Sequence, residues 1–152
     1  MGGYIAYEII RQAGDRVMRL VLLDTGARAD PPERRQGRLE LVRLAEREGA
    51  ASAQRQLLPM LIHPQRLTDE ALVAGIMQMA IDTGVEAFKR QQTAITRPDN
   101  PPLLAQIRCP TLVLVGRQDV LTPPALAQEI AAGIAGARLE IIAECGHLST
   151  PP

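Results

Sequence analysis

Thr111-Leu-Val-Leu-Val-Gly-Arg-Gln-Asp-Val-Leu-Thr-Pro-Pro124 is the stretch whose reading decides the fold. Leu112 to Val115 is a short apolar run without polar alternation, ended by Gly116. A run of this kind suits a parallel strand buried on both faces. Asp119 follows on the loop, and Thr122-Pro123 can cap and open a helix. Chemistry in open α/β sheets gathers at the carboxyl ends of strands, so Asp119 is a functional candidate from position alone.

Two further stretches repeat the pattern. Met18 to Leu23 (MRLVLL) reads as a buried strand ending at Asp24-Thr25-Gly26, and Ala137 to Ile142 as a strand ending at Glu144-Cys145-Gly146-His147. Tyr4 to Ala13 has helical spacing, with Gly14 placed to end it at C′. Pro123 to Ile134 carries Leu126, Ile130 and Ile134 on one helical face. Leu103 to Ile107 reads as a short link.

Between the first two strands the composition changes. Residues 29–102 are dense in Arg and Glu and bracketed by Pro31-Pro32 and Pro101-Pro102. Four helices are expected there: one around Leu39, Val42 and Leu44, ending near Gly49; Ala51 to Ile62, closed by His63-Pro64; one capped by Thr68 with Asp69 and Glu70 in its first turn; and Val85 to Ile95. Acids in a first turn favour the helix dipole. A βαβ crossover needs only about a dozen residues, so this insert is a subdomain of its own. The division expected is therefore 1–28 and 103–152 as core and 29–102 as helical cap. Arg34, Arg35, Arg38, Arg43 and Arg47 alternate with acids and read as a solvated helix face.

Composition narrows the classes. The chain has 152 residues with 17 Lys plus Arg against 17 Asp plus Glu, so no excess charge points to nucleic acid or to an anionic membrane. Aromatics are only 2%, thin for a complete enzyme core and pocket. No membrane span or leader is read from the sequence, and a cytoplasmic setting is expected. Cys109 and Cys145 fall at opposite edges of neighbouring strands, roughly 16 Å apart at the usual rise per residue. They are therefore expected to be free thiols. No cluster has metal-ligand spacing, and no cofactor is expected. Nucleotide binding is disfavoured because no strand leads into Gly-x-Gly-x-x-Gly or a P-loop.

On the parallel reading, three strands end on one edge of the sheet and bring Asp24, Asp119 and His147 there. An acid and a histidine on adjacent strand ends are two parts of a Ser-His-acid system. Asp24 is the rival acid, and otherwise a strand stop or helix cap.

These residues resemble the α/β-hydrolase family. Met1-Gly2-Gly3-Tyr4-Ile5-Ala6 is similar to the second half of its nucleophile elbow, PTLVLVGRQDVLTPP to its acid strand and loop, and ARLEIIAECGHLSTPP to its histidine strand and loop. The resemblance implies a partial α/β-hydrolase fold: three parallel strands, the last three of an eight-stranded sheet, with flanking helices and a helical cap after the first. It implies a serine hydrolase of a carboxylic ester or related acyl bond, working through an acyl-enzyme. Asp119 then orients His147 as base, the Met1 backbone N–H is an oxyanion donor, and Gly2 is the second elbow glycine.

The family's nucleophile serine has no counterpart here. Ser52 lies in the cap, Ser149 just past His147, and neither Cys109 nor Cys145 has elbow geometry. The chain is therefore expected to be a C-terminal part of a hydrolase, inactive alone. Two alternatives stay open: a non-catalytic binding or scaffold protein, and one half of a two-chain hydrolase. A small-molecule ester or acyl compound is the expected substrate of the whole enzyme. The strand edge 18–23 is an expected site of self-association.

Overall fold

The computed structural model describes residues 1–96 and 100–149. The Pro151-Pro152 end of the histidine motif and residues 97–99 near the end of the insert lie outside the described residues.

Three parallel strands form the sheet: β1 (Leu20–Leu23), β2 (Thr111–Gly116) and β3 (Arg138–Ile142), in the order β1-β2-β3. β2 is the central strand, with Leu20 to Leu23 beside Thr111 to Leu114 and Arg138 to Ile142 beside Leu112 to Gly116. Thr111, Val113 and Val115 are buried on the face toward the core, while Leu112 and Leu114 on the other face are half-buried. β3 alternates as well, with Leu139 and Ile141 half-buried and Arg138, Glu140 and Ile142 exposed. β1 is shorter than expected. It begins at Leu20, and Met18, which was read as its start, is 87% exposed.

Helix α1 (Gly2–Ala13) packs Tyr7 and Ile10 into the core. Gly14 does not end it in the left-handed conformation expected of a C′ glycine. Its φ is −61°, and the chain runs on into a 3-10 turn over Gly14–Arg16. The core gathers Tyr7, Leu20, Leu22, Val113, Val115, Ile130 and Ile134. The Leu103–Ile107 stretch is not a mere link. Its helical turn α5 (Pro101–Leu104) and the residues after it bury Leu103, Leu104 and Ile107 in that core. Gly133 of α6 (Pro124–Gly133) lies so near Leu104 that a Cβ there would stand 2.8 Å from its side chain.

Between β1 and β2 come α2 (Pro32–Glu48), α3 (Ala50–Leu61), a 3-10 turn (Pro64–Thr68) and α4 (Glu70–Ile95). They enclose a second, smaller cluster of Leu58, Ile62 and Ile76. The cap of α4 is Asp69, not Thr68: its carboxylate accepts from the Leu72 amide at 3.1 Å. Thr68 instead closes the preceding turn on the Gln65 carbonyl. Four insert helices were expected, and α4 supplies the last two. Gly84 breaks it at φ 71°, ψ 168°. By length and composition alone α4 would suffice to cross a membrane. Yet each unbroken half rises only about 15–20 Å, short of a hydrocarbon core of ~30 Å.

The Arg-rich face of α2 is not wholly solvated. Arg38 is partly buried, pairs with the buried Asp30, and donates to Gln92 of α4 at 3.1 Å. This ties α2 to α4 and to the loop leaving β1.

Candidate functional site

The loops after β2 and β3 meet above the sheet edge. Asp119 stands on the first, 3% exposed, and its backbone amide closes a turn onto the Gly116 carbonyl. Its carboxylate is filled from its own loop: Oδ1 accepts from the amides of Leu121 and Thr122, both at 2.8 Å, and Oδ2 accepts from the Thr122 hydroxyl at 2.6 Å. These bonds engage both oxygens from within the loop itself, independently of His147.

His147 stands on the loop after β3. Its Nδ1 lies 2.9 Å from Asp119 Oδ2 and 3.1 Å from Thr122 Oγ1. An ionised carboxylate only accepts, so Nδ1 carries the proton. Thr122 has one hydroxyl hydrogen and gives it to Asp119, so its oxygen also faces Nδ1 as an acceptor. Of the two neutral tautomers, this contact selects the one whose free lone pair lies on Nε2. Burial pushes the Asp119 carboxyl up. The hydrogen bonds from His147 and from the Thr122 side chain and backbone outweigh it, and hold the group below the usual carboxylate range.

The two loops are stitched together at close quarters. Gln118 both donates its amide to the Cys145 carbonyl at 2.9 Å and accepts the Cys145 amide on its side chain at 3.0 Å. The Arg117 amide donates to Ile142 at 2.8 Å. A Cβ on Gly116 would lie 2.1 Å from the Gly146 carbonyl oxygen, so only glycine permits this approach. On its other side Gly146 meets the insert: a Cβ there would lie 2.7 Å from the Ile62 backbone. The Leu148 amide donates to the Leu61 carbonyl at 2.8 Å, and the Leu148 side chain packs on the Leu58–Ile62–Ile76 cluster. The histidine loop is thus a middle layer between sheet and insert.

The sequence candidates divide. Asp119 and His147 are brought together. Asp24 makes no described hydrogen bond to His147; it accepts from the Gly116 and Ser149 amides. Met1 caps α1, with its carbonyl accepting from Tyr4 at 3.0 Å, and no described hydrogen bond joins it to Asp119 or His147. Gly2 has open space around it, while Gly3 is pressed on Thr25. Ser52 donates to the Glu48 carbonyl within the insert. The two cysteines are free, and burial, then the charges of Asp24 and Asp119, push the Cys145 thiol up. His63 accepts from the Gln65 amide at 3.3 Å and opens the turn that follows α3.

Thr122 and Gln118 were not singled out as site residues. The sequence makes Thr122 a helix cap, but the cap position of α6 is Pro123 and the Thr122 hydroxyl serves Asp119 instead, a role that only its spacing to Asp119 suggests. A cavity of about 200 Å³ lies beside the histidine loop, between Ile62, His63, Arg66 and Leu72 of the insert and Ile142 to Cys145.

Residues 1–151 match the family described as alpha/beta hydrolase family. The chain is 28% identical, over 97% of its length, to a 2-hydroxy-6-oxononadienedioate/2-hydroxy-6-oxononatrienedioate hydrolase of Klebsiella pneumoniae, and covers 53% of that protein. Among solved structures it is similar to a thermophilic esterase from Thermogutta terrifontis (TM-score 0.88, 32% identity, 97% of this chain and 55% of that one). It is also similar to the enol-lactonase from Burkholderia xenovorans (TM-score 0.86, 30% identity, 98% and 56%). The chain spans about half the length of the curated relatives it matches.

Proposed function

Since the chain belongs to the alpha/beta hydrolase family, we propose that it carries the acid–base half of a serine-hydrolase centre for a carboxylic ester or related acyl bond. The observation that carries this reading is the 2.9 Å contact between His147 Nδ1 and Asp119 Oδ2 at the ends of adjacent parallel strands. Asp119 holds the imidazole with Nε2 free. Nε2 takes the proton of an attacking hydroxyl and later returns it to the leaving group, while Asp119 stabilises the imidazolium in between.

The nucleophile comes from outside these 152 residues. The Ser52 hydroxyl is engaged within the insert, and no described serine oxygen or cysteine sulfur hydrogen-bonds to His147. The Met1 backbone nitrogen serves as one oxyanion donor once an elbow precedes it. The acyl class rests on the esterase and enol-lactonase likeness. A cytoplasmic setting agrees with the two free thiols, which a reducing compartment preserves.

The test joins Met1 to the preceding half of the esterase relative and follows p-nitrophenyl acetate hydrolysis. Turnover that falls about 10³-fold or more in His147→Ala is expected. A folded chimera whose turnover ignores His147 would sink the base assignment. Turnover by the 152-residue chain alone, lost in His147→Ala, would place the nucleophile inside it.

We also infer that the outer edge of β1 pairs with another strand, by self-association when the chain is alone. Val21 and Leu23 are exposed, as are Met1, Ile5 and Ile9 along one face of α1. No described strand lies beside that edge. An open apolar edge is a template for pairing.

A further inference from the structure

Asp24 is the carboxylate that the acid–base scheme leaves unused. It follows the last residue of β1, and its amide donates to the Leu114 carbonyl at 3.0 Å, continuing the register with β2. Its two oxygens serve two separate places. Oδ1 accepts from the Gly116 amide at 3.1 Å, at the end of the strand that leads to Asp119. Oδ2 accepts from the Ser149 amide at 3.2 Å, just beyond His147. From this we infer that Asp24 is a positioning residue for His147: one carboxylate fastens the histidine loop to the strand end that carries the acid.

A strand stop would not need this arrangement. Ending β1 requires nothing of a contact 125 residues away in sequence. The backbone also departs from the ordinary. Asp24 has φ 45°, in the left-handed region that a Cβ disfavours and that Asp tolerates better than most residues. The only other described non-glycine residue with positive φ is Glu144 (φ 53°), where the histidine loop leaves β3. Strained backbone, at the end of β1 and within the histidine loop, persists when surrounding bonds over-determine it. Those bonds are unequally shared. The insert holds the loop through Leu148 and Leu61, and the acid loop through Gln118 and Cys145. From β1 it is held by Asp24.

The role is at one remove from chemistry, and it rests on reading His147 as the base. The test therefore uses the intact 152-residue chain and needs no turnover. The chain has two histidines, so nitrogen-15 NMR of the imidazoles separates His147 from His63, which serves as the internal reference. Two variants are compared. Asp24→Asn keeps one acceptor for Gly116 but turns an NH2 toward the Ser149 amide. Asp24→Gly removes the carboxylate at a φ that glycine adopts freely, so loss of the fold is not expected to mask the result.

In both variants the Ser149 amide should exchange about tenfold faster, the loss expected for one charge-assisted hydrogen bond. The His147 Nδ1–H resonance should broaden, while the His63 ring and the Val113 amide stay unchanged. Unchanged Ser149 exchange and an unchanged His147 signal in either folded variant would overturn the proposal. A His147 without a protected Nδ1–H in the unaltered chain would instead sink the acid–base reading, and Ser149 exchange would still decide whether Asp24 holds the loop.

Discussion

The two flanks of the sheet are built differently. On the β2–β3 flank, backbone meets backbone with no room for a Cβ at Gly116 or Gly146, and side-chain carboxylates and amides fill the remaining donors. On the β1 flank, Met1, Ile5, Ile9, Val21 and Leu23 face outward. One sheet therefore ends in a closed, over-determined site on one side and an apolar, unpartnered surface on the other. Chemistry of the Ser-His-acid kind needs the first property: a base must be held in one tautomer and one orientation. The second property is what an interface looks like before its partner arrives.

The sharpest way to break the closed flank is Gly116→Ala. The added methyl would stand 2.1 Å from the Gly146 oxygen and 2.5 Å from that of Cys145, both backbone atoms that cannot swing aside. A loss of about 3 kcal/mol is expected by urea unfolding. Gly37 inside α2 is the control, because a Cβ there meets nothing within 4 Å. Gly37→Ala should gain up to about 1 kcal/mol through helix propensity. Equal effects at the two glycines would erase the contrast between packed loops and open surface.

Asp119→Asn tests the electrostatic part of the same flank. The amide cannot accept at all the positions the carboxylate fills, so a loss of about 2 kcal/mol is expected near pH 7. The sign of the pH dependence follows from the depressed carboxyl. A group whose folded pKa lies below its unfolded value of about 3.9 contributes fully above that value and loses its contribution as pH falls through the folded one. The contribution of the depressed carboxyl to the gap between parent and variant should therefore be lost as pH falls below about 4. A gap that persists at pH 2 would mean packing rather than charge holds the loop.

The open flank is broken by charge. Val21→Lys places an ammonium beside the free edge of β1, where it remains hydrated in the monomer but opposes strand pairing. Self-association measured by sedimentation should weaken at least about tenfold, with the melting temperature of the monomer little changed. A parent chain that stays monomeric at high concentration would remove the edge as an interface.

How far the sequence announced this contrast depends on the range of the contacts. β2 and its acid loop were legible because an unalternated apolar run, Gly116 and Asp119 are all local signals. The Asp119–His147 pairing followed once both strands were read as parallel neighbours. The hold of Asp24 on Ser149 was not legible, because nothing in either neighbourhood encodes a contact across 125 residues. The same is true of Gly146, whose need for glycine comes from the backbone of Ile62 and His63. The shift of the helix cap from Thr68 to Asp69 has a local cause. Both side chains can cap, and the ionised one faces the amides of the first turn with the larger charge. The start of β1 was overrun because Met18 and Arg19 resemble strand residues, yet the β2 register reaches only to Leu20.

The smallest effect concerns a group that belongs to neither description. Tyr7 is wholly buried on the inner face of α1, and its hydroxyl has no hydrogen-bond partner among the described residues. Burial pushes its pKa far up, so the phenol stays neutral and contributes only an unsatisfied dipole to the core. Tyr7→Phe removes that dipole and keeps the ring, so stability should rise by up to about 1 kcal/mol, read as a shift in the urea midpoint with an unchanged slope. A loss of similar size would mean that the hydroxyl is satisfied in solution, by a water or by a partner docked on the β1 flank. Repeating the measurement on the Val21→Lys background separates those two: a loss that disappears with the edge charge belongs to the interface, and one that remains belongs to the core.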